Sequence, residues 1–287
     1  MITRAVLLAG LTVAAVAANA QTPAFGPSGP EGEPARRQEW RVPTPDAAIA
    51  SHALLLRPQG EGPFSIAVIA HASVENEIQR AQMQQPDYVH LAVALVARGF
   101  AVLVPQRPGH GATGGPYLEG QGGCDAPDYL RAAQATGREI GMALDFLRTQ
   151  SFARKNGAVI VGHSAGGFGA LALAQRDPRE IATIVAFAPG RGGNAHGRPN
   201  EVCAPDKLIA ASKALGQNAR VPVAWLVAEN DSYFSPALSK RMADAFRTGG
   251  DRVTFRVLSP AAREGHFLAE SGSTALLASI IANAIKR

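Results

Sequence analysis

The sequence predicts one α/β domain with a mostly parallel sheet of about eight strands, flanked by helices and carrying a small cap insertion. Short apolar runs such as Ser65–Ala70 lack alternating polar residues, which is typical of strands buried on both faces. These runs alternate with helical patterns, and such alternation is typical of parallel sheets. The 287 residues are 46% hydrophobic and 18% charged, so the chain can bury a large core.

The predicted elements follow one another from residue 39 onward. Residues 51–57 end at Pro58 and predict a strand before Ser65–Ala70. Apolar residues spaced three and four apart, followed by Gly99, predict a helix over residues 88–98. The other predicted strands cover residues 100–104, 158–161, 181–187, 223–228 and 253–258, and the other helices cover residues 129–147, 167–175, 236–247 and 274–285.

One segment departs from this simple alternation. Residues 191–220 begin with a glycine-rich stretch and end in a predicted short helix over residues 206–215. They lie between two strands that a plain crossover helix could join. We therefore predict that residues 191–220 form a small cap on the domain, which itself spans residues 39–287.

The first twenty residues have the layout of a secretory signal peptide. Arg4 provides a positive start, residues 5–18 are uncharged and apolar, and Ala18-Asn19-Ala20 supplies the small residues of a cleavage site. The apolar stretch is shorter than the about 20 residues that span a membrane. We expect export to the periplasm or beyond without a membrane anchor. The mature chain then begins with a Pro- and Gly-rich segment, residues 21–38, that is predicted to be a flexible leader.

The charge pattern argues against a nucleic-acid-binding protein. The net charge is +5, from 28 basic and 23 acidic residues that are scattered along the chain, and aromatic residues make up 6%. Nucleic-acid-binding proteins usually concentrate basic residues on one face and supply aromatic platforms. A solvated basic surface is the simpler interpretation. The sequence also lacks the Cys and His spacing of a metal site, and we expect neither a metal nor an organic cofactor.

Residues 159–167 contain the pattern G-x-S-x-G, with Ser164 at its centre. The pattern follows an apolar strand and precedes a helical pattern, which is the setting of a nucleophile elbow. Gly162 and Gly166 suit such a turn, because the strained serine backbone leaves no room for side chains two residues away. Ser164 is therefore the candidate nucleophile. The alternative is an ordinary glycine-rich turn in which Ser164 caps the helix.

A nucleophilic serine needs a base that removes its proton and an acid that orients the base. On a strand-elbow-helix fold these partners follow the serine in the order acid, then histidine. His266 lies just before the last helix, where the base is expected, whereas His196 lies too early in the chain. Asp231 ends the segment after strand 223–228 and is the candidate acid, with Glu229 as the alternative.

Two backbone N–H groups should bind the oxyanion that forms during attack. Ala165 directly follows the nucleophile and offers one of them. The second is expected from the loop after Ser65–Ala70, where Ser73 is the candidate.

Residues 109–114 match the dinucleotide-binding pattern G-x-G-x-x-G after a strand. That pattern requires a helix to open at the last glycine. Here Gly115-Pro116 and a further loop follow instead. We therefore interpret the segment as a turn and not as a nicotinamide site.

The elbow GHSAGG, the segment AENDSYF and the segment EGHF resemble the α/β-hydrolase superfamily, within it the dienelactone-hydrolase-like and esterase-like single-domain members. The resemblance spans residues 39–287 and implies that Ser164, Asp231 and His266 are nucleophile, acid and base. Dienelactone hydrolase itself uses a cysteine, so Ser164 implies a serine esterase. The His-Gly that the family usually has after its third strand is His71-Ala72 here, a departure that bears on the oxyanion donor.

The function expected from these residues is that of an exported serine hydrolase that cleaves small carboxylic esters through an acyl-enzyme. A peptidase or amidase would use the same triad, so this alternative stays open. A non-catalytic binding module that kept the fold is the third possibility.

Cys124 and Cys203 are the two cysteines of the chain. In an oxidising compartment two cysteines tend to pair, and both predicted loops leave the carboxyl edge of the sheet. We predict a disulfide that holds the cap over the pocket mouth. Two buried free thiols are the alternative.

Overall fold

The computed structural model describes residues 24–250, 252–260 and 263–285, and the predicted signal peptide over residues 1–20 lies outside them. The strands are β1 (Gly26–Pro27), β2 (Gln38–Pro43), β3 (Ala50–Leu56), β4 (Ser65–Ala70), β5 (Phe100–Pro105), β6 (Ala158–His163), β7 (Ile181–Phe187), β8 (Val223–Ala228) and β9 (Val253–Leu258). They form one sheet in the order β1-β2-β3-β5-β4-β6-β7-β8-β9. The pairs β1–β2, β2–β3 and β3–β5 are antiparallel, and the remaining pairs are parallel.

Helices cover both faces of this sheet. They are α1 (Glu77–Ala81), α2 (Val89–Val96), α3 (Tyr129–Arg148), α4 (Ala165–Leu171), α5 (Pro205–Gly216), α6 (Pro236–Arg247), α7 (Leu268–Ser271) and α8 (Thr274–Ala284). Helices α3 to α6 pack on one face, and α2, α7 and α8 pack on the other. Among the described residues no single helix is long and apolar enough to cross a membrane; residues 265–271 and 274–284 meet that test only as a pair bent by 102°.

The central position of strand β4, with a hydrophobic core on each face, explains why its sequence is continuously apolar. Ile66 and Val68 belong to the hydrophobic core under α3 to α6, whereas Ala67 and Ile69 belong to the core under α2 and α8. Successive side chains of a strand point to opposite faces, so a central strand needs apolar residues at every position. The predicted α/β class with a mostly parallel sheet is confirmed, with nine strands where about eight were expected.

The extra strand comes from the segment that was predicted to be a flexible leader. Within the described part of that segment, Gly26 and Pro27 pair with Arg41 and Trp40 of β2. The ring of Phe25 also lies edge-on against Phe146, with ring centroids 6.0 Å apart. Proline is tolerated on an edge strand, because no outer neighbour needs its missing N–H. In this described part of the segment the Pro- and Gly-rich composition therefore corresponds to an edge strand and its turns, and not to a flexible leader.

The predicted cap over residues 191–220 divides into two parts. Helix α5 packs against α3 and α6, and its Leu208 and Leu215 are buried in the core. It is thus the crossover helix between β7 and β8. Only the preceding loop, up to Ala204, is left to lie over the carboxyl edge of the sheet.

The structure contains the predicted disulfide between Cys124 and Cys203, with Cα atoms 4.9 Å apart. Cys124 lies in the loop between β5 and α3, and Cys203 lies just before α5. The bond therefore ties the loop before α5 to a second loop of the same sheet edge. It closes a sequence separation of 79 residues.

Removing this crosslink should destabilise the folded domain. The double variant Cys124→Ala/Cys203→Ala gains chain entropy when it unfolds, so we expect its free energy of unfolding to fall by about 2–4 kcal/mol. Denaturant unfolding followed by circular dichroism measures this difference. A free energy of unfolding equal to that of the oxidised wild type would contradict the prediction.

Candidate active site

Ser164 occupies a strained turn between β6 and α4. Its backbone has φ 53° and ψ −119°, in a region that L-residues rarely adopt. A Cβ added to Gly162 would lie 2.5 Å from the Cα of Gly167, and one added to Gly166 would collide with the carbonyl oxygen of Ala70. The turn therefore needs glycine on both sides, which is the steric reason expected from the sequence.

Three predicted residues from three loops form a chain in which His266 lies within hydrogen-bonding distance of both Ser164 and Asp231. His266 Nε2 lies 3.0 Å from Ser164 Oγ, and His266 Nδ1 lies 3.2 Å from Asp231 Oδ2. All three side chains are buried. A carboxylate can only accept, so Nδ1 carries the proton toward Asp231 and leaves Nε2 to accept from the serine hydroxyl. Glu229, the alternative acid, is exposed.

Asp231 is itself fixed by backbone groups. Its Oδ1 accepts hydrogen bonds from the N–H groups of Tyr233 and Phe234, both at 2.8 Å. The ring of Tyr233 stacks on the imidazole of His266, with centroids 4.0 Å apart and planes 15° apart. Both members of the His–Asp pair are thus held in orientation by their neighbours.

Burial lowers the pKa of His266 below its ordinary value of 6.5, although the hydrogen bond with Asp231 opposes that shift. His163 lies 5.0 Å away, centroid to centroid, and its charge also lowers the pKa. The imidazole is therefore neutral near pH 7. A neutral imidazole is the form that can accept the serine proton.

Glu264 joins the loop of Asp231 to the loop of His266, and sequence reasoning missed it. Its Oε1 accepts from the N–H groups of His266 at 2.9 Å and Ser232 at 3.1 Å, and its Oε2 accepts from the Ser232 hydroxyl at 2.6 Å. The carboxylate thus occupies the capping position of the short turn Gly265–Phe267. The one available signal was an acidic residue two positions before the histidine.

The predicted oxyanion donors open onto the same cavity as Ser164. Ala165 and Ser73 line the same cavity as the Ser164 side chain. The N–H of Ala72 donates to the Tyr88 hydroxyl at 3.0 Å, so it is engaged elsewhere. The hydroxyl of Ser73 lies 2.8 Å from His110 Nε2, which anchors this loop.

His71 takes part in holding the same loop. The ring atom Nε2 of His71 accepts from the N–H of Arg107 at 3.0 Å, and Arg107 Nη1 donates to the His71 carbonyl at 2.8 Å. Arg107 also forms a buried ion pair with Glu119, at 2.9 Å, and Arg191 contacts the other oxygen of Glu119. Burial opposes the charge of Glu119, but the two arginines outweigh it and hold the pKa of this carboxyl well below its usual value.

The turn at residues 109–114 also helps to hold the His71–Ser73 loop, through His110. It contains a short 3-10 helix, Gly111–Thr113, and not the helix start that a dinucleotide site requires. Its His110 is buried and contacts Ser73, as described above. Burial lowers the pKa of His110 to about 4, so its ring is neutral.

A cavity of about 760 Å³ opens in front of Ser164. Its walls come from the Ser73 loop and α1, from the loop after β7, and from the segments that hold Tyr233 and His266. Apolar Val74 and Met83 share the lining with the carboxylates of Glu75 and Glu270. Such a volume suits a small molecule. Among residues 24–250, 252–260 and 263–285, no group of three His, Cys, Asp or Glu side chains could hold a metal ion.

Known proteins share this architecture. Residues 82–212 match the family model described as serine aminopeptidase, S33. The structure is similar to an esterase of Pyrococcus furiosus, with a TM-score of 0.61 and 13% identity over 90% of this chain and 96% of that chain. It is also similar to a cold-adapted esterase from an Arctic intertidal metagenomic library, with a TM-score of 0.56 and 16% identity over 91% of this chain and 100% of that chain.

The sheet order, the elbow and these similarities show that the chain has the α/β-hydrolase fold. The proteins that it resembles are hydrolases, and two of them are esterases.

The lowered pKa of His266 predicts the pH dependence of any reaction that uses it as a base. Protonation of His266 removes the base, so kcat/KM should fall as the pH drops through the pKa of the free enzyme. Because that pKa is below 6.5, we expect the acid limb to have its midpoint below pH 6.5. Hydrolysis of an uncharged nitrophenyl ester between about pH 4.5 and 9 measures it. A midpoint above 6.5 would contradict the prediction.

Proposed function

We propose that this protein is an exported serine hydrolase that cleaves carboxylic esters through an acyl-enzyme intermediate. One observation carries the proposal: the hydrogen-bonded chain from Ser164 Oγ through His266 to Asp231 opens onto a ligand-sized cavity. A serine hydroxyl becomes a nucleophile only when a positioned base takes its proton, and this chain supplies that arrangement.

In the proposed reaction, His266 Nε2 accepts the proton of Ser164 while Oγ attacks the acyl carbon of the ester. The backbone N–H groups of Ala165 and Ser73 donate to the resulting oxyanion. His266 then gives its proton to the leaving alcohol, the C–O bond breaks, and the acyl group stays on Ser164. Asp231 stabilises the imidazolium and keeps its tautomer.

Water completes the cycle in a second half-reaction. His266 takes a proton from the water, whose oxygen attacks the acyl carbon, and then returns the proton to Ser164 Oγ. The products are the carboxylic acid and the free enzyme, so atoms and charges balance without a cofactor in either half-reaction.

Esters are the preferred substrate class because the structural similarity is to esterases. The description of the matching family model names an aminopeptidase, and the triad itself does not separate esters from amides. An amide therefore belongs in the test. The Cys124–Cys203 bond supports the proposed export, since disulfides persist mainly in oxidising compartments.

Steady-state hydrolysis of nitrophenyl esters of graded acyl length, beside alanine nitroanilide as the amide, tests the proposal. We expect ester turnover by the wild type and losses of about 10⁴-fold or more in Ser164→Ala and His266→Ala. Matched controls are Ser279→Ala, on the exposed side of α8, and His90→Ala, on α2. They should keep the wild-type rate.

Two results would contradict the proposal. Faster turnover of the amide than of every ester would make the protein a peptidase or amidase. A folded wild type that hydrolyses neither substrate would favour the non-catalytic binding module.

A further inference from the structure

Glu270 lines the cavity but has no part in the proposed reaction. It lies four residues after His266, on α7, and its side chain is 41% exposed. This placement puts it one helical turn from the base. The inference below rests on the proposed function and deepens it.

The carboxylate of Glu270 contacts two buried side chains and accepts a hydrogen bond from one of them, Tyr88. Its Oε1 lies 3.0 Å from the hydroxyl of Tyr88 and 3.2 Å from Nδ1 of His163. Tyr88 and His163 are 4% and 1% exposed, and the Tyr88 hydroxyl also lies 3.0 Å from the same ring nitrogen. The three groups thus form a closed triangle that reaches the cavity wall at Glu270.

Each of the two partners leads to a different loop of the site. The hydroxyl of Tyr88 accepts from the N–H of Ala72, next to the predicted oxyanion donor Ser73. The Nε2 atom of His163 lies 2.8 Å from the carbonyl oxygen of His266, and a carbonyl can only accept, so Nε2 donates. His163 also directly precedes Ser164 in the chain.

The proton of Tyr88 has a defined direction. Burial and the charge of Glu270 raise the pKa of Tyr88 well above its ordinary value of 10, so the phenol stays protonated. It accepts from the N–H of Ala72 and donates its own proton to Oε1 of Glu270. The backbone of Tyr88 has φ 44° and ψ 40°, a left-handed conformation that a tyrosine keeps only when its surroundings fix it.

We propose that Glu270 is a positioning residue that couples the oxyanion loop, through Tyr88, to the loop of the catalytic base, through His163. It holds Ala72 and the His266 carbonyl at a fixed separation, and so aligns the donor Ser73 with the base. The oxyanion contacts form fully only in the transition state, so loss of this coupling should lower kcat more than it changes KM.

The test compares hydrogen-bonding and non-bonding replacements in hydrolysis of an uncharged nitrophenyl ester. Glu270→Ala removes the acceptor, and we expect kcat to fall by about 10- to 100-fold with KM within about twofold. Glu270→Gln keeps an acceptor oxygen in a nearly equal shape and should restore kcat to within about threefold of wild type. Glu61→Ala, at an exposed loop position, is the matched control.

Tyr88→Phe supplies the second arm, because it removes only the hydroxyl. We expect it to lower kcat by about tenfold. The kcat of the double variant Tyr88→Phe/Glu270→Ala should lie within about twofold of the kcat of Glu270→Ala alone, because both changes break the same connection. Thermal melting of each variant verifies the fold. If Glu270→Ala does not fold, the near-isosteric variants Glu270→Gln and Tyr88→Phe still test the proposal.

Three outcomes would overturn the coupling role. They are a wild-type kcat in Tyr88→Phe or Glu270→Ala, multiplied losses in the double variant, and a Glu270→Gln variant as slow as Glu270→Ala. Ser164→Ala in the same assay separates this proposal from the proposed function. If wild type is no faster than Ser164→Ala, both fail, whereas a Ser164-dependent rate that ignores Tyr88 and Glu270 rejects the coupling alone.

Discussion

The close approach of β6 and α4 at the elbow is the constraint on which the rest of the site depends. Ser164 can hold a positive φ only because Gly162 and Gly166 let the turn pack against the neighbouring backbone, including that of Ala70. Ala70 ends β4, so the same contact fixes where the His71–Ser73 loop begins. Steric exclusion thus places the nucleophile and the oxyanion loop side by side before any polar contact forms.

Buried or half-buried carboxylates then fix the loops that the sheet only brings near. Glu119 holds Arg107, which clamps His71, and Glu264 joins Ser232 to His266. Glu270 contacts Tyr88 and His163 from the cavity wall, where its own side chain is 41% exposed. A charge that is desolvated is costly unless its partners stay in place. Moving the loops that Glu119 and Glu264 hold would therefore leave a buried or half-buried charge without its partners, which favours one arrangement of the site.

Local patterns predicted the parts of the molecule that depend on neighbours in the chain. Ser164 followed from a strand, a glycine turn and a helix, and Asp231 and His266 followed from chain order after β8 and β9. Glu264 and Glu270 carry no such pattern, because their partners lie up to 182 residues away. The periodicity of α5 likewise could not say whether its apolar side faces the sheet or a pocket. In the described part of residues 21–38, composition could not reveal pairing with β2.

Intact-mass spectrometry after incubation with a fluorophosphonate tests the central claim most directly, because this probe forms a stable bond with an activated serine. The account predicts one adduct on the wild type, no adduct on Ser164→Ala, and an unchanged adduct on Ser279→Ala. An unlabelled but folded wild type, or an adduct that persists in Ser164→Ala, would contradict it.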